Sequence, residues 1–153
     1  MVKESLPRVT IYTDGACEPN PGPGGWAALL RFPTSEKVLQ GKEDLTTNNR
    51  MELTAAIQAL AELKESSVVE LFTDSQYLQR GITEWLPKWV LKNWRSSSGK
   101  VANQDLWQAL LIAEKPHQVE WRWLRGHAGN RDNARVDRLA VQAMRGQFEK
   151  NYK

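Results

Sequence analysis

Four acidic residues, Asp14, Glu52, Asp74 and Asp137, stand where an ordinary surface role is awkward. Asp14 and Asp74 each close an apolar run, V-T-I-Y-T-D-G at 9–15 and V-V-E-L-F-T-D-S at 68–75. A carboxylate at the tip of a core strand sits where a sheet begins to bury its residues, and desolvation there is unfavourable. Glu52 and Asp137 lie on the inner edges of apolar helical stripes. Four carboxylates cannot stay close together and ionised without a cation, because each raises the pKa of the others. Oxygen ligands with no His or Cys cluster suit a hard ion such as Mg²⁺ or Mn²⁺. Acidic clusters that hold two such ions, roughly 3.5–4 Å apart, are a recurrent solution to phosphodiester cleavage.

The elements that must position these residues follow from periodicity. Residues 9–13 alternate apolar and polar, as a strand with one better-buried face does. The stretch C-E-P-N-P-G-P-G-G at 17–25 is expected to be a turn between antiparallel strands. It is not a phosphate-binding glycine loop, because those lead into a helix and W-A-A-L-L-R-F at 26–32 reads as a second strand. Residues 37–45 are expected as a third, more exposed strand. A helix is expected from the Thr46-Thr47-Asn48 cap region to Lys64, burying Leu53, Ala56, Ile57, Leu60 and Leu63. Glu52 falls in its first turn, where complementing the helix dipole is the ordinary explanation. Orientation toward the sheet, with two strand-tip aspartates available, favours a functional role instead.

A fourth strand over 68–73, a short helix over 76–85 and a further helix from Pro87 come next. Residues 103–114 read as a helix with Leu106, Ala109, Leu110 and Ala113 inward, and 119–124 as a fifth strand. A last helix from 130–133 onward buries Val136, Leu139, Ala140, Ala143 and Met144. Strands joined by crossover helices predict an α/β sheet with helices on its faces. Sites in such sheets form beyond the carboxyl ends of the strands, where Asp14 and Asp74 stand.

Bulk composition sets the remaining bounds. The 153 residues are expected to form a single domain spanning 1–153, with 41% hydrophobic and 25% charged residues. One cysteine excludes an internal disulfide and fits a reducing, cytoplasmic setting. No stretch is apolar enough for a membrane span, and no membrane partner is expected. The net charge of +3 hints at a polyanionic partner. Residues 85–104 carry Lys88, Lys92, Arg95 and Lys100 without an acidic residue, interleaved with Trp85, Trp89 and Trp94. That mixture suits phosphate contact with stacking. A tryptophan stripe packed on the body beneath a solvated basic face explains it equally well.

The segments Y-T-D-G-A-C-E-P-N-P-G-P-G-G-W-A, T-T-N-N-R-M-E-L-T-A-A, F-T-D-S-Q-Y, D-L-W, G-H-A-G-N and D-N-A-R-V-D-R-L-A strongly resemble bacterial-type (type 1) ribonuclease H, in order from about Arg8 to Ala143. The resemblance implies a five-stranded mixed sheet, three antiparallel strands continued by parallel ones, flanked by helices. It implies an endonuclease that hydrolyses the RNA strand of an RNA–DNA hybrid, leaving 5′-phosphate and 3′-hydroxyl ends. A non-catalytic nucleic-acid-binding module, or another nuclease on the same fold, is the alternative. Carried over by position, the metal ligands are Asp14, Glu52, Asp74 and Asp137, holding two Mg²⁺ (or Mn²⁺) ions in the substrate complex. His127 matches the family's loop histidine, implied to assist proton transfer or product release.

The resemblance also implies contacts to the hybrid from Asn20, Asn48, Asn49 and Gln76, largely through sugar hydroxyls and the RNA minor groove. Thr47 matches a contact to a DNA phosphate. Trp85 matches an aromatic that packs on DNA sugars, and Lys88 begins the basic protrusion. Turn and cap chemistry is the plainer role for Asn20 and Asn48. Gly15, having no side chain, is expected to let the RNA backbone approach the ions. Two departures stand out: Ala134 where family members often have Glu, and Ser96–Ser98 diluting the protrusion. A monomer is the default oligomeric expectation.

Overall fold

The computed structural model describes residues 6–95, 99–125 and 130–149. Five strands form one sheet in the order β3-β2-β1-β4-β5: β1 (Arg8–Cys17), β2 (Gly22–Arg31), β3 (Glu36–Thr46), β4 (Val68–Thr73) and β5 (Gln118–Trp123). β1, β2 and β3 are antiparallel neighbours, while β4 runs parallel to β1 and β5 parallel to β4. This is the mixed sheet that the resemblance implies. The helices are α1 (Asn48–Glu62), α2 (Gln76–Arg80), α3 (Leu86–Leu91), α4 (Gln104–Glu114) and α5 (Arg131–Met144).

The sheet is covered on both faces, and the two cores differ. On one face Val9, Ile11, Ala28, Leu30, Val69 and Leu71 meet Leu53, Ala56 and Leu60 of α1, with Leu110 and Trp107 of α4 beyond. On the other, Tyr12, Ala27, Leu29 and Val38 meet Val136, Leu139 and Ala140 of α5. Strand side chains alternate between faces, so β1 and β2 each feed both cores. Ile57 of α1 and Leu63 just beyond its end are only half-buried, while Met51, Ala55 and Ala59 join Leu53, Ala56 and Leu60 in the interior. The buried face of α1 is wider than a narrow stripe because the helix packs against both the sheet and α4.

Three sequence expectations are corrected. The glycine-rich stretch was expected to be a turn, but Gly22–Arg31 is strand throughout, with Gly24 opposite Cys17 and Gly25 opposite Ala16. The reason is close packing: a Cβ on Gly25 would collide with the backbone of α5 at Ala140, Ala143 and Met144. Only glycine lets that helix approach the strand so closely. The helix expected over 76–85 is α2 followed by a π-helical turn, Gly81–Trp85, that runs directly into α3. Pro87 has no N–H to continue the ordinary ladder, and a wider turn absorbs the mismatch. Trp107, absent from the expected inward face of α4, is fully buried. Its ring lies where a Cβ on Gly81 would be, and its Nε1 donates to the Tyr77 hydroxyl at 3.1 Å.

Candidate active site

Strand register brings the first two carboxylates together. The parallel pairing of β1 with β4 ends on Tyr12 opposite Phe72, whose rings stack 4.8 Å apart. Two residues further along each strand stand Asp14 and Asp74, on the α5 side of the sheet. Asp14 is still within β1, opposite Ala27 of β2, and is 4% exposed; Asp74 lies just past β4 and is half-buried. Thr13 and Thr73, pointing the other way, are fully buried. The strand tips are therefore rigid where the carboxylates begin.

Glu52 arrives from the opposite face. Thr47 caps α1, its Oγ1 accepting from the Arg50 amide at 3.1 Å, and the first turn runs across the end of β1. Gly15 is the point of contact. A Cβ there would come within 2.7 Å of the Glu52 amide nitrogen and 2.8 Å of Met51. The space beside Gly15, expected to admit an RNA backbone, is filled by α1 itself. This close approach carries the Glu52 side chain round the sheet edge to Asp14. One carboxylate oxygen from each of Asp14, Glu52 and Asp74 lies within 4.8 Å of the others.

Asp137, on α5, stands outside that group of three but within hydrogen-bonding range of Asp14. One turn earlier on the same face, fully buried Asn133 places its Nδ2 3.4 Å from Asp74 Oδ2. Asn133 is a site residue beyond the four expected carboxylates. Its spacing, four residues before Asp137, was the available signal.

The electrostatics are those of a cation site. Burial is the main cause that pushes the Asp14 carboxyl far above the usual carboxylate range. The Glu52 charge, a hydrogen bond with Asp137 and the Asp74 charge add to it. Glu52 is also raised, again chiefly by burial, though accepting a hydrogen bond from Asp14 holds it down in part. Burial and crowding therefore favour protonation of this pair when no cation is bound. Glu52 Oε1 is buried with no hydrogen-bond partner among the described residues. An unsatisfied carboxylate oxygen in an all-oxygen cluster fits a hard divalent cation, whose charge would offset the crowding of these carboxyls.

The remaining site residues fall into three places. Asn20, in the β1–β2 connection, accepts from the Asn48 amide through Oδ1 at 3.2 Å, so it ties that connection to the start of α1. Thr47 and Asn48 are half-buried beside it and Asn49 is exposed. Gln76 opens α2, exposed, in a cavity shared with Asp74. Trp85 ends the π-helical turn, with the Arg80 guanidinium 5.5 Å from its ring centroid, and Lys88 is exposed on α3. His127 and residues 96–98 lie outside the described residues.

The two explanations offered for the basic segment divide by residue type. The tryptophans pack inward as a chain, Trp94 on Trp89 at 6.0 Å and Trp89 edge-on to Trp107 at 5.8 Å. Lys88, Lys92, Arg95 and Lys100 are all exposed and make no ion pair among the described residues.

Comparison with known proteins agrees with this geometry. Ribonuclease H of Afipia carboxidovorans is 55% identical over 145 residues, covering 94% of this chain and 97% of that protein. Ribonuclease HI of Rickettsia prowazekii is 55% identical over 136 residues, 88% of this chain and 90% of that one. Among solved structures, LC9-RNase H1, described as a type 1 RNase H with the type 2 active-site motif, superposes with a TM-score of 0.86 at 34% identity. That match covers 95% of this chain and 76% of the other. The fold is shared at 20% identity with LC11-RNase H1, which was solved with an RNA/DNA hybrid (TM-score 0.68; 90% and 97% covered). A family profile described as RNase H matches residues 7–145. With that profile spanning every strand of the sheet and both helices that bring carboxylates to it, the chain belongs to the ribonuclease H family, as a bacterial type 1 member.

Proposed function

We propose that this enzyme hydrolyses the RNA strand of RNA–DNA hybrids, giving 5′-phosphate and 3′-hydroxyl ends, with two Mg²⁺ ions in the substrate complex and Mn²⁺ as a substitute. The observation that carries the reading is the convergence of one carboxylate oxygen each from Asp14, Glu52 and Asp74 within 4.8 Å, with Glu52 also holding a buried, unsatisfied oxygen. Asp14, Glu52, Asp74 and Asp137 would hold the ions. When bound, the ions supply charge neutralisation, activation of the attacking water and stabilisation of the leaving 3′ oxygen.

The chain's own residues supply position. The paired tips of β1 and β4 fix Asp14 and Asp74 in register, and α1 presses Glu52 against them. Asn133 steadies Asp74, so that its oxygens keep one orientation. Asp14 and Glu52 would bind the cations in their deprotonated form, so that ion binding would offset the crowding of these buried carboxyls. His127 would assist proton transfer or product release. Asn20, Asn48, Asn49 and Gln76 would read 2′-hydroxyls, each amide being able both to donate and to accept. Thr47, Trp85 and Lys88 would hold the DNA strand. The enzyme would act as a cytoplasmic monomer, a reading in keeping with its single cysteine.

The test is side-by-side incubation of an RNA–DNA hybrid, duplex RNA and duplex DNA with Mg²⁺. Cleavage of RNA in the hybrid alone is expected. Hybrid binding without cleavage would overturn the catalytic reading, and cleavage of duplex DNA would point to a different nuclease on this fold.

A further inference from the structure

A cavity of about 700 Å³ opens from Asp74 between α2 and the end of β5. Its lining includes Gln79 and Arg80 of α2 on one side and Trp123, Leu124 and Arg125 on the other. The far wall is fixed to the catalytic strands: the Leu124 amide donates to the Thr73 carbonyl at 2.9 Å, immediately before Asp74. Arg125 therefore begins one residue from a backbone bond to the strand that carries Asp74. On the near wall, the guanidinium of Arg80 lies over Trp85, which restrains it without neutralising it.

Neither arginine has a carboxylate partner among the described residues. Arg31, Arg50, Arg122 and Arg135 all do: Glu36 and Asp132 for the first, Asp105 for the second, Glu70 and Glu120 for the third, Glu36 and Glu149 for the fourth. Two unpaired guanidiniums facing one concave space beside an acidic centre offer what a phosphate needs and what the carboxylates alone would repel. Guanidinium N–H forks match phosphate oxygens in geometry as well as in charge.

We propose that Arg80 and Arg125 form a phosphate subsite that grips the backbone of the RNA strand on the Asp74 side of the cleaved linkage. The assignment rests on the hybrid-cleaving function above and adds a residue-level contact to it. The RNA strand is chosen because Asp74 lines the same cavity, and the strand that reaches the catalytic carboxylates is the one that continues into it. The subsite holds that strand in line with the carboxylates. Its loss weakens binding and also loosens the choice of linkage that is cut.

The experiment pairs variants with neutralised phosphates. Arg80→Gln, Arg125→Gln and the double variant are assayed on a hybrid of defined sequence. Melting temperatures confirm folding, and Arg80→Lys serves as a charge-keeping control. The double variant is expected to raise KM about tenfold, as loss of charge-assisted hydrogen bonds does. Its plot of log KM against log salt should flatten by about one unit per guanidinium. A single methylphosphonate linkage is then walked along each strand. One linkage in the RNA, near the cut, should weaken wild-type binding but leave the double variant unaffected. An unchanged salt slope in the double variant overturns the subsite. A lost penalty on the DNA strand overturns the strand assignment. If wild-type enzyme fails to cleave the hybrid at all, the functional reading itself fails, a result distinct from either.

Discussion

Gly15 and Glu52 are in direct backbone contact: a single methyl group on Gly15 would sit 2.7 Å from the Glu52 amide nitrogen. The neighbour is helix backbone, which cannot swing aside as a flexible side chain would. Gly15→Ala should therefore displace the first turn of α1, and with it the Glu52 carboxylate, from Asp14. Overpacking of this kind costs about 1–3 kcal/mol in stability. The loss in kcat should exceed the loss that the folded fraction explains, because metal ligands tolerate little displacement. Denaturant melts beside kcat for the variant check this. Full activity with unaltered stability would show that α1 yields freely.

The crowded, buried carboxyls of Asp14 and Glu52 should make the metal-free enzyme sensitive to pH. Glu52 is pushed from 4.5 up to about 8 and Asp14 is raised as well, burial leading in both. A carboxyl raised by folding binds a proton that the unfolded chain has released, so its contribution to stability is present at low pH and lost as pH rises. In EDTA the melting temperature should fall between about pH 5 and pH 8, apart from any general acid effect below that window. Added Mg²⁺ should flatten the decline by replacing the proton. A metal-free melting temperature that climbs across this window would contradict the crowding of these carboxylates.

Asp14→Asn should abolish hybrid cleavage, since Asp14 lies against Glu52, Asp74 and Asp137. It should also raise the melting temperature of the metal-free protein and remove most of the gain from Mg²⁺, because one crowded acid is gone. Calorimetry with and without Mg²⁺, alongside the cleavage assay, measures both effects. Near-normal turnover would exclude Asp14 as a ligand.

Trp107 anchors the side of the molecule away from α5. It is fully buried against Gly81, touches Trp89 and Tyr77, and donates to the Tyr77 hydroxyl. Trp107→Ala should destabilise by about 3–5 kcal/mol, through lost burial and the cavity left behind. Trp107→Phe should cost less while still leaving that hydroxyl without its indole donor. Urea unfolding of the two variants provides the comparison, and equal loss in both would assign the cost to the hydrogen bond.

The exposed lysines make a separate prediction. Lys88→Ala with Lys92→Ala should weaken hybrid binding and flatten its salt dependence by up to about one unit per lost phosphate contact. Folding should be unaffected, because neither ammonium is paired among the described residues. Binding titrations across a salt series decide it. An unaltered slope would leave this face solvated and without a role in binding.

Periodicity and residue type alone were enough to recognise the five strands, the long helices and four carboxylates in unusual positions. Alternation and helical stripes are local properties written directly in side-chain polarity, and a strand ending in Thr-Asp reads the same in any surroundings. Close approach is not local. That Gly25 is strand and not turn depends on α5 lying against it, and that Trp107 is core depends on Gly81 leaving room for its ring. Gly15 looked like space for a substrate until α1 was seen to occupy that space. The union of the site was also a tertiary decision. β1–β4 register sets Asp14 beside Asp74, but Glu52 reaches them from the opposite face of the sheet, and Asn133 and Asp137 from a helix more than fifty residues away in sequence. The chain by itself determined which residues could bear the charge; only packing across both faces of β1 decided that three of them meet within 4.8 Å.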